Sequence, residues 1–373
     1  MTALSDLPAD ARLYLRPLWF ADSPVGLDGT TARIGDGLIW FQAYEIVARA
    51  GGRRILTQIV PVADFDAALA AAPATLRARA EALAAGIATK RPPLSLNGRT
   101  IRFDSPQVMG ILNMTPDSFS DGGRHQGDAQ IAADAGFAMT TDGVAIVDVG
   151  GESTRPGADP VWEGDEIARV VPVIEKLAAA GVPVSIDTRK AAVMEAALAA
   201  GAALVNDVSA LLHDDRSLDV VARAGCPVVL MHVPSAGENL HDGARYADAA
   251  FDVFDWLEAR VHACLEAGIP RAKIIVDPGL GFGKSLQDNL SILNRLAMYQ
   301  ALGVPVLVGV SRKRMIGALS NEAPVDKRLG GSVALAMQAF GLGAQIVRVH
   351  DVAETVQAAR VWRGLRDAAL SDC

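Results

Sequence analysis

The chain has 373 residues, of which 50% are hydrophobic and 21% charged, and a formal net charge of -8. That length exceeds one average domain and supplies ample core material, while the acidic balance argues against a non-specific nucleic-acid binder, which uses a strongly basic face. No apolar stretch is long enough to span a bilayer, and the opening residues, with Asp6, Asp10, Arg12 and Arg16, are unlike a signal peptide. A soluble cytoplasmic protein with no membrane or nucleic-acid partner is therefore expected. Cys226, Cys264 and Cys373 are odd in number and unrelated in spacing, so they read as reduced thiols, two of them packed, and not as a zinc site or a disulfide framework.

Residues 1–93 have mixed character. Stretches 38–41 and 55–60 read as strands, and 65–90 is Ala-rich with Leu69, Leu76, Leu83 and Ile87 at near-helical spacing. Arg91-Pro92-Pro93 ends that helix and reads as a linker. A small mixed α/β unit is expected here; it shows no catalytic constellation. A hairpin-like Leu96-Asn97-Gly98-Arg99-Thr100-Ile101 opens the second unit, residues 94–373.

Eight short apolar runs then follow, at 108–112, 145–149, 182–186, 203–205, 227–231, 273–276, 305–310 and 346–349. They stop at Asn113, Glu152-Ser153-Thr154-Arg155, Asp187, Asn206-Asp207, His232, Asp277, Ser311-Arg312-Lys313 and Arg348-Val349-His350-Asp351. Strands buried on both faces read as continuous Val/Ile/Leu runs, and helix-length amphipathic segments separate these, so a parallel sheet with crossover helices is expected. Eight such units make a (β/α)8 TIM barrel. Polar residues gathered at the C-terminal end of each strand point to an enzyme, because that rim carries the active site in this architecture.

The stops carry longer motifs. Gly110-Ile111-Leu112-Asn113-Met114-Thr115-Pro116-Asp117-Ser118-Phe119-Ser120-Asp121 and Asp148-Val149-Gly150-Gly151-Glu152-Ser153-Thr154-Arg155-Pro156-Gly157 closely resemble the first two loops of the dihydropteroate synthase family. The likeness continues, in the family's order, through Ser185-Ile186-Asp187-Thr188, Asn206-Asp207-Val208, Leu230-Met231-His232, Asp277-Pro278-Gly279-Leu280-Gly281-Phe282-Gly283-Lys284, Ser311-Arg312-Lys313 and Arg348-Val349-His350-Asp351. It covers the whole chain after residue 95.

The resemblance implies a transferase of folate biosynthesis that joins p-aminobenzoate to the methylene carbon of a 6-hydroxymethyl-dihydropterin diphosphate, with diphosphate leaving. It implies that Asp187, Asn206 and Asp277 hydrogen-bond the pterin edge, that Lys313 contacts its carbonyl side, and that Met231 and Phe282 pack near it. Arg155 and Arg348 would grip diphosphate, as bidentate guanidinium groups can, with His350 adding a donor or a proton. Asn113 would offer a neutral oxygen to Mg²⁺, which binds mainly through the diphosphate. The 115–123 stretch, rich in Pro, Ser, Asp and Gly, reads as a mobile lid that closes with the Thr154-Arg155-Pro156 loop. Phe119, Thr154, Arg155, Pro156 and Lys313 would then hold p-aminobenzoate, where sulfonamides should compete, and Asp121 would stabilise positive charge on the methylene. The expected catalytic group is Asp121, Lys313 and Arg155. A homodimer formed through barrel helices is the family's common state.

Blander readings stand beside these. Asp187 and Asp277 could cap helices, Arg348 could pair on the surface with Asp351, and Phe119 could be a hydrophobic staple. His125, His213, His241 and His262 read as packed or solvated, and His232 as a wall beside Met231. The segment from Gly279 to Ser285 is similar to a nucleotide-binding P-loop, but Pro278 stands where the pattern requires glycine. Its glycines instead read as allowing close backbone approach to the pterin. Arg314 stands where some family members carry Ser beside the benzoate carboxylate. The remaining alternatives are a pterin-binding barrel of the corrinoid-dependent methyltransferase type, against which Ser311-Arg312-Lys313, Arg155 and the long first-loop motif tell, and an inactive pterin-binding module, against which the presence of Arg155, Lys313 and Arg348 tells.

Overall fold

The computed structural model describes residues 4–8, 10–114, 129–155, 157–235, 237 and 240–371. Its first strands, β1 (Arg12–Ala21), β2 (Ala32–Arg33), β3 (Trp40–Ala50) and β4 (Arg53–Pro61), form an antiparallel sheet in which β1 pairs along one edge of β3 and the other two share its opposite edge. β1 escapes a sequence reading because Arg16 and Pro17 interrupt its apolar pattern; as an edge strand it tolerates the proline. The Ala-rich stretch is two helices, α1 (Phe65–Leu69) and α2 (Ala74–Ala88), broken ahead of Pro73, and Leu69, Leu76, Leu83 and Ile87 are all buried as their spacing predicts. The expected linker is no solvated tether. Arg91 is only 2% exposed and donates to the carbonyl oxygens of Gly86 and Gln300 at 3.0 and 2.9 Å.

The hairpin of β5 (Leu94–Leu96) and β6 (Arg99–Ile101) turns through Asn97 and Gly98, both at positive φ, 48° and 77°. Such a two-residue turn matches the twist of the flanking strands and explains the Asn-Gly pair. The eight barrel strands follow: β7 (Gln107–Asn113), β8 (Ile146–Gly150), β9 (Val184–Asp187), β10 (Leu204–Asp207), β11 (Val228–Met231), β12 (Ile274–Asp277), β13 (Leu307–Gly309) and β14 (Ile346–Val349). All neighbours are parallel, β14 pairs β7, and a bridge from Val276 to Val306 joins the ends, so the apolar runs close into the expected barrel. The helices around it are α3 (Ala129–Asp142), α4 (Glu163–Ala179), α5 (Ala191–Ala199), α6 (Ser217–Ala224), α7 (Ala249–Glu266), α8 (Leu286–Asn294), α9 (Arg314–Leu319), α10 (Leu329–Gly341) and α11 (Val352–Ala369).

The period of two along each strand sorts its residues. Val147, Val149, Val205, Val228, Leu230, Val276, Val308 and Val347 belong to the large core shared with the helices. Met109, Ile146, Leu204, Val229, Ile275, Leu307 and Ile346 instead cluster with Leu94, Leu96, Ile101 and Phe103, so the hairpin plugs the barrel's N-terminal end. Two residues beyond this layer, on the same strand faces, stand Asp148, Asn206, Met231, Asp277, Gly309 and Arg348. The apolar floor and the polar mouth are thus one alternation read to its end.

The N-terminal sheet docks on α7. Asp248, Asp252, Asp255 and Glu258 follow one another at helical spacing, and they pair with Arg54, Arg49, Arg12 and Arg79 respectively. Tyr14 donates to Asp255 at 2.8 Å while its ring meets the edges of Phe251 and Phe254, at 4.7 and 5.7 Å between centroids. The burial of these rings carries most of the attraction, since partly exposed ion pairs contribute little each.

Candidate active site

Arg348 lies at the centre of the mouth. Its Nε is 2.6 Å from Asp148 Oδ2 and its Nη2 is 2.6 Å from Asp187 Oδ2, while Asn206 Nδ2 donates to the same Asp148 oxygen at 2.9 Å. One guanidinium between two buried carboxylates leaves an excess of negative charge, which is costly away from water. Burial accordingly pushes the Asp187 carboxyl up to about 7, with Asp148 adding to the rise and Arg348 opposing it. Burial acts against the Arg348 cation, but the two carboxylates more than offset it and hold that group charged. Asp148 Oδ1, fully buried, has no hydrogen-bond partner among the described residues. The mouth therefore offers acceptors to a flat ligand with several N–H donors. Asp351 pairs with Arg312, at 3.0 Å from Nε, so the surface pairing of Arg348 with Asp351 does not form.

Asn113 closes β7 across from Asp187, and Gly150 lies between them. A Cβ built there would stand 3.5 Å from Asp187 Oδ2 and 3.7 Å from Asn113 Oδ1, so glycine keeps the space between two oxygen donors open.

A second group surrounds Asp277, whose Oδ1 accepts from the Gly279 amide at 2.7 Å. This carboxyl is also raised by burial, against the pull of Lys313. Lys313 donates to the Leu280 carbonyl and its Nζ is 4.8 Å from the centre of the Phe282 ring. Burial brings its ammonium down to about 8, with Asp277 opposing. Met231 and Phe282 join Val208, Val233 and Leu240 in a small apolar wall. His232 packs behind it, against the edge of Trp256 at 4.8 Å, and burial keeps it uncharged.

The glycine loop is packed closely on its neighbours. Gly279, at φ +66°, approaches the connection after β11 so closely that a Cβ would lie 1.9 Å from the His232 carbonyl oxygen, and one on Gly283 would lie 2.5 Å from Pro234. Lys284 fastens the loop by donating to the carbonyls of Gly279, Phe282 and His232, at 2.7, 3.2 and 3.3 Å. These glycines serve the loop's own packing. Gly279→Ala should cost about 3 kcal/mol or more, because backbone must move to admit the methyl group. A thermal melt matching that of the parent protein would contradict this.

His350 is neutral at pH 7: burial, helped by Arg348, lowers it to about 4. Its Nδ1 is 3.1 Å from Ser311 Oγ, so in this form it offers a hydrogen bond and not a cation. Thr154 and the exposed Arg155 stand on the rim, lining a cavity of about 290 Å³ with Glu152, Arg189, Leu240 and His241. Glu152 anchors the base of their loop, accepting from the Val161 amide at 3.1 Å and pairing with Lys190 at 3.2 Å and Arg189 at 3.5 Å. The structure thus joins Asp187 directly to Arg348, links Asn206 to Arg348 through Asp148, and sets Asp277, Lys313, Met231 and Phe282 beside one another. Phe119, Asp121 and Pro156 lie outside the described residues.

Asp148 was missed as a site residue. Its signal is a charged residue two places after an apolar one inside a strand run, where a buried acid needs a partner. His241 and the Glu152, Arg189 and Lys190 group carried no such signal.

Residues 109–350 match the pterin binding enzyme family. The chain is 45% identical over 268 residues to a dihydropteroate synthase of Neisseria meningitidis serogroup C, a match covering 71% of this chain and 94% of the relative. A solved dihydropteroate synthase of Xanthomonas albilineans with 4-aminobenzoic acid superposes with a TM-score of 0.70 at 46% identity, covering 74% of this chain and 99% of that one. A second structure of that enzyme, in complex with 7,8-dihydropteroate, gives 0.67 at 44% identity over the same shares. Such coverage is consistent with an N-terminal extension beyond what these relatives carry.

Proposed function

The chain belongs to the dihydropteroate synthases of the pterin-binding enzyme family, and from that premise we propose how its own residues divide the reaction. It condenses 6-hydroxymethyl-7,8-dihydropterin diphosphate with p-aminobenzoate, giving 7,8-dihydropteroate and diphosphate. A bond forms between the aryl amine nitrogen and the pterin methylene, the bond from that carbon to the diphosphate oxygen breaks, and the amine gives up a proton.

Asp187, Asp148, Asn206 and Asp277 read the pterin edge, Lys313 meets its carbonyl side, and Met231 and Phe282 wall the ring. The unpartnered buried oxygen of Asp148, in the mouth beside Arg348 and Asn206, carries this reading, because buried acceptors are usually hydrogen-bonded and this one is placed to accept from a ligand. The guanidinium of Arg348 resembles the aminopyrimidine edge in its donors. A bound pterin can take over Asp148 and Asp187 and free that cation for the diphosphate. Arg155 and a hydrogen bond from His350 complete the anion grip, and stabilising charge on the leaving group is the largest expected catalytic contribution.

Phe119, Thr154, Arg155, Pro156 and Lys313 hold p-aminobenzoate, and the role assigned to Asp121 is to stabilise positive charge on the methylene. Sulfonamides, which share the ring, amine and acidic group, compete there. Asn113 fits Mg²⁺: its amide oxygen is a hard neutral donor that flanks Gly150 together with Asp187, and diphosphate and water would supply the remaining ligands. The ion, when bound, neutralises part of the diphosphate charge. Chelator treatment is expected to remove turnover and Mg²⁺ to restore it, with Asn113→Ala raising the Mg²⁺ needed about tenfold. Full turnover in excess chelator would remove the metal from this scheme.

The protein works as a cytoplasmic homodimer. Leu319, Val325, Val361 and Leu365 are each more than half exposed, on α9, α11 and the segment before α10, and are candidates for contact with a second copy. No helix among the described residues is long and apolar enough to cross a membrane.

A further inference from the structure

Three separate parts of the chain meet at His241, in the connection between β11 and α7. Its imidazole is stacked on Phe282, with centroids 5.2 Å apart and planes 12° from parallel. Its Nε2 lies 2.7 Å from the carbonyl oxygen of Thr154, a contact that requires the proton to sit on that nitrogen. The same ring lines the rim cavity beside Thr154 and Arg155. Phe282 in turn carries the Lys313 ammonium, so packed groups run without a gap from the Thr154 backbone to Lys313. Arg189 repeats the link from the other side: it donates to the Gly237 carbonyl at 2.8 Å, in the His241 connection, while pairing with Glu152 at the base of the Thr154 loop.

We infer that His241 is a positioning residue for the aminobenzoate acceptor, fixing the Thr154-Arg155 loop against the Phe282 wall so that the acceptor meets a preformed subsite. This rests on the assignment of that loop to p-aminobenzoate. A loop already held in place spares the ligand the cost of ordering it, which acts on acceptor affinity. The effect belongs chiefly to acceptor binding, because the His241 variants leave Phe282 and Lys313 in place and the pterin's hydrogen-bonding groups Asp148, Asp187 and Asn206 are not among the groups that His241 touches.

Steady-state kinetics on the full-length enzyme test this, with each substrate varied at saturation of the other, for His241→Ala, His241→Phe, His241→Gln and Arg155→Ala. His241→Ala should raise the KM for p-aminobenzoate about tenfold, with kcat and the KM for the pterin diphosphate changed less than about twofold. His241→Phe retains the stack and His241→Gln the hydrogen bond, so both should fall between parent and alanine. If Arg155→Ala raises the KM for p-aminobenzoate and all the His241 variants leave it unchanged, His241 has no such role although the loop assignment stands. If Arg155→Ala also leaves it unchanged, the loop assignment itself fails. A rise in both KM values together with a fall in melting temperature would make His241 merely structural and overturn the inference. Should the alanine variant fail to fold, the phenylalanine and glutamine variants carry the same comparison.

Discussion

Asp187→Ala is expected to weaken binding of the pterin diphosphate by about 100-fold or more in isothermal titration. The substitution leaves ligand donors unpaired in a buried site, at about 1–3 kcal/mol each, and a site built to hydrogen-bond its ligand discriminates steeply on that basis. Asp187→Asn keeps the shape and one acceptor, so it should fall between. The pH dependence follows from the same group. Asp187 must be ionised to accept from the pterin, and its carboxyl lies at about 7 in the free protein. Affinity therefore falls as pH drops below about 7, approaching about tenfold per pH unit well below that value, and binding near neutrality releases protons. Lys313, at about 8, must stay protonated, so affinity falls again above that value. A pH-independent affinity, or an alanine variant that binds as tightly as the parent, would remove Asp187 from the site.

Removing residues 1–92 should be equally severe, for a different reason. The deletion uncovers Phe251, Phe254 and Tyr299, all buried, and strips Arg partners from Asp252, Asp255 and Glu258 on α7. It also removes α2, whose Gly86 packs so tightly on the barrel that a Cβ would lie 2.3 Å from the Ala301 carbonyl oxygen. The barrel alone is expected to aggregate or to melt more than about 10 °C lower. Tyr14→Ala gives a smaller form of the same test: truncation of a buried aromatic costs about 3–5 kcal/mol. A soluble barrel with unchanged melting and turnover would show that the extension contributes nothing to stability.

The barrel was legible because its strands are buried on both faces, so 108–112 or 346–349 reads as an unbroken apolar run. The candidate site was legible where polar residues end those runs, as at Asp187, Asn206 and Asp277. Asp148 was obscured by lying inside its run, and β1 by Arg16 and Pro17. Arg348 shows the other limit. Sequence proximity offers only Asp351 as a protein partner, whereas the fold brings Asp148 and Asp187, 200 and 161 residues away, to the same guanidinium. The packing role of the glycines at 279 and 283 is not visible in sequence, since only the nearby His232 and Pro234 reveal it. His241 could not be found at all, since its partners Thr154 and Phe282 belong to other strands' loops.

The most direct measurement is release of diphosphate by the full-length protein, followed alongside formation of dihydropteroate. One diphosphate should appear for each dihydropteroate formed, at a rate that rises with p-aminobenzoate to saturation and that Asp187→Ala and Arg348→Ala reduce by about 100-fold or more. Diphosphate released at the same rate without p-aminobenzoate, or no product from both substrates with Mg²⁺ present, would contradict the assignment of this mouth to the condensation.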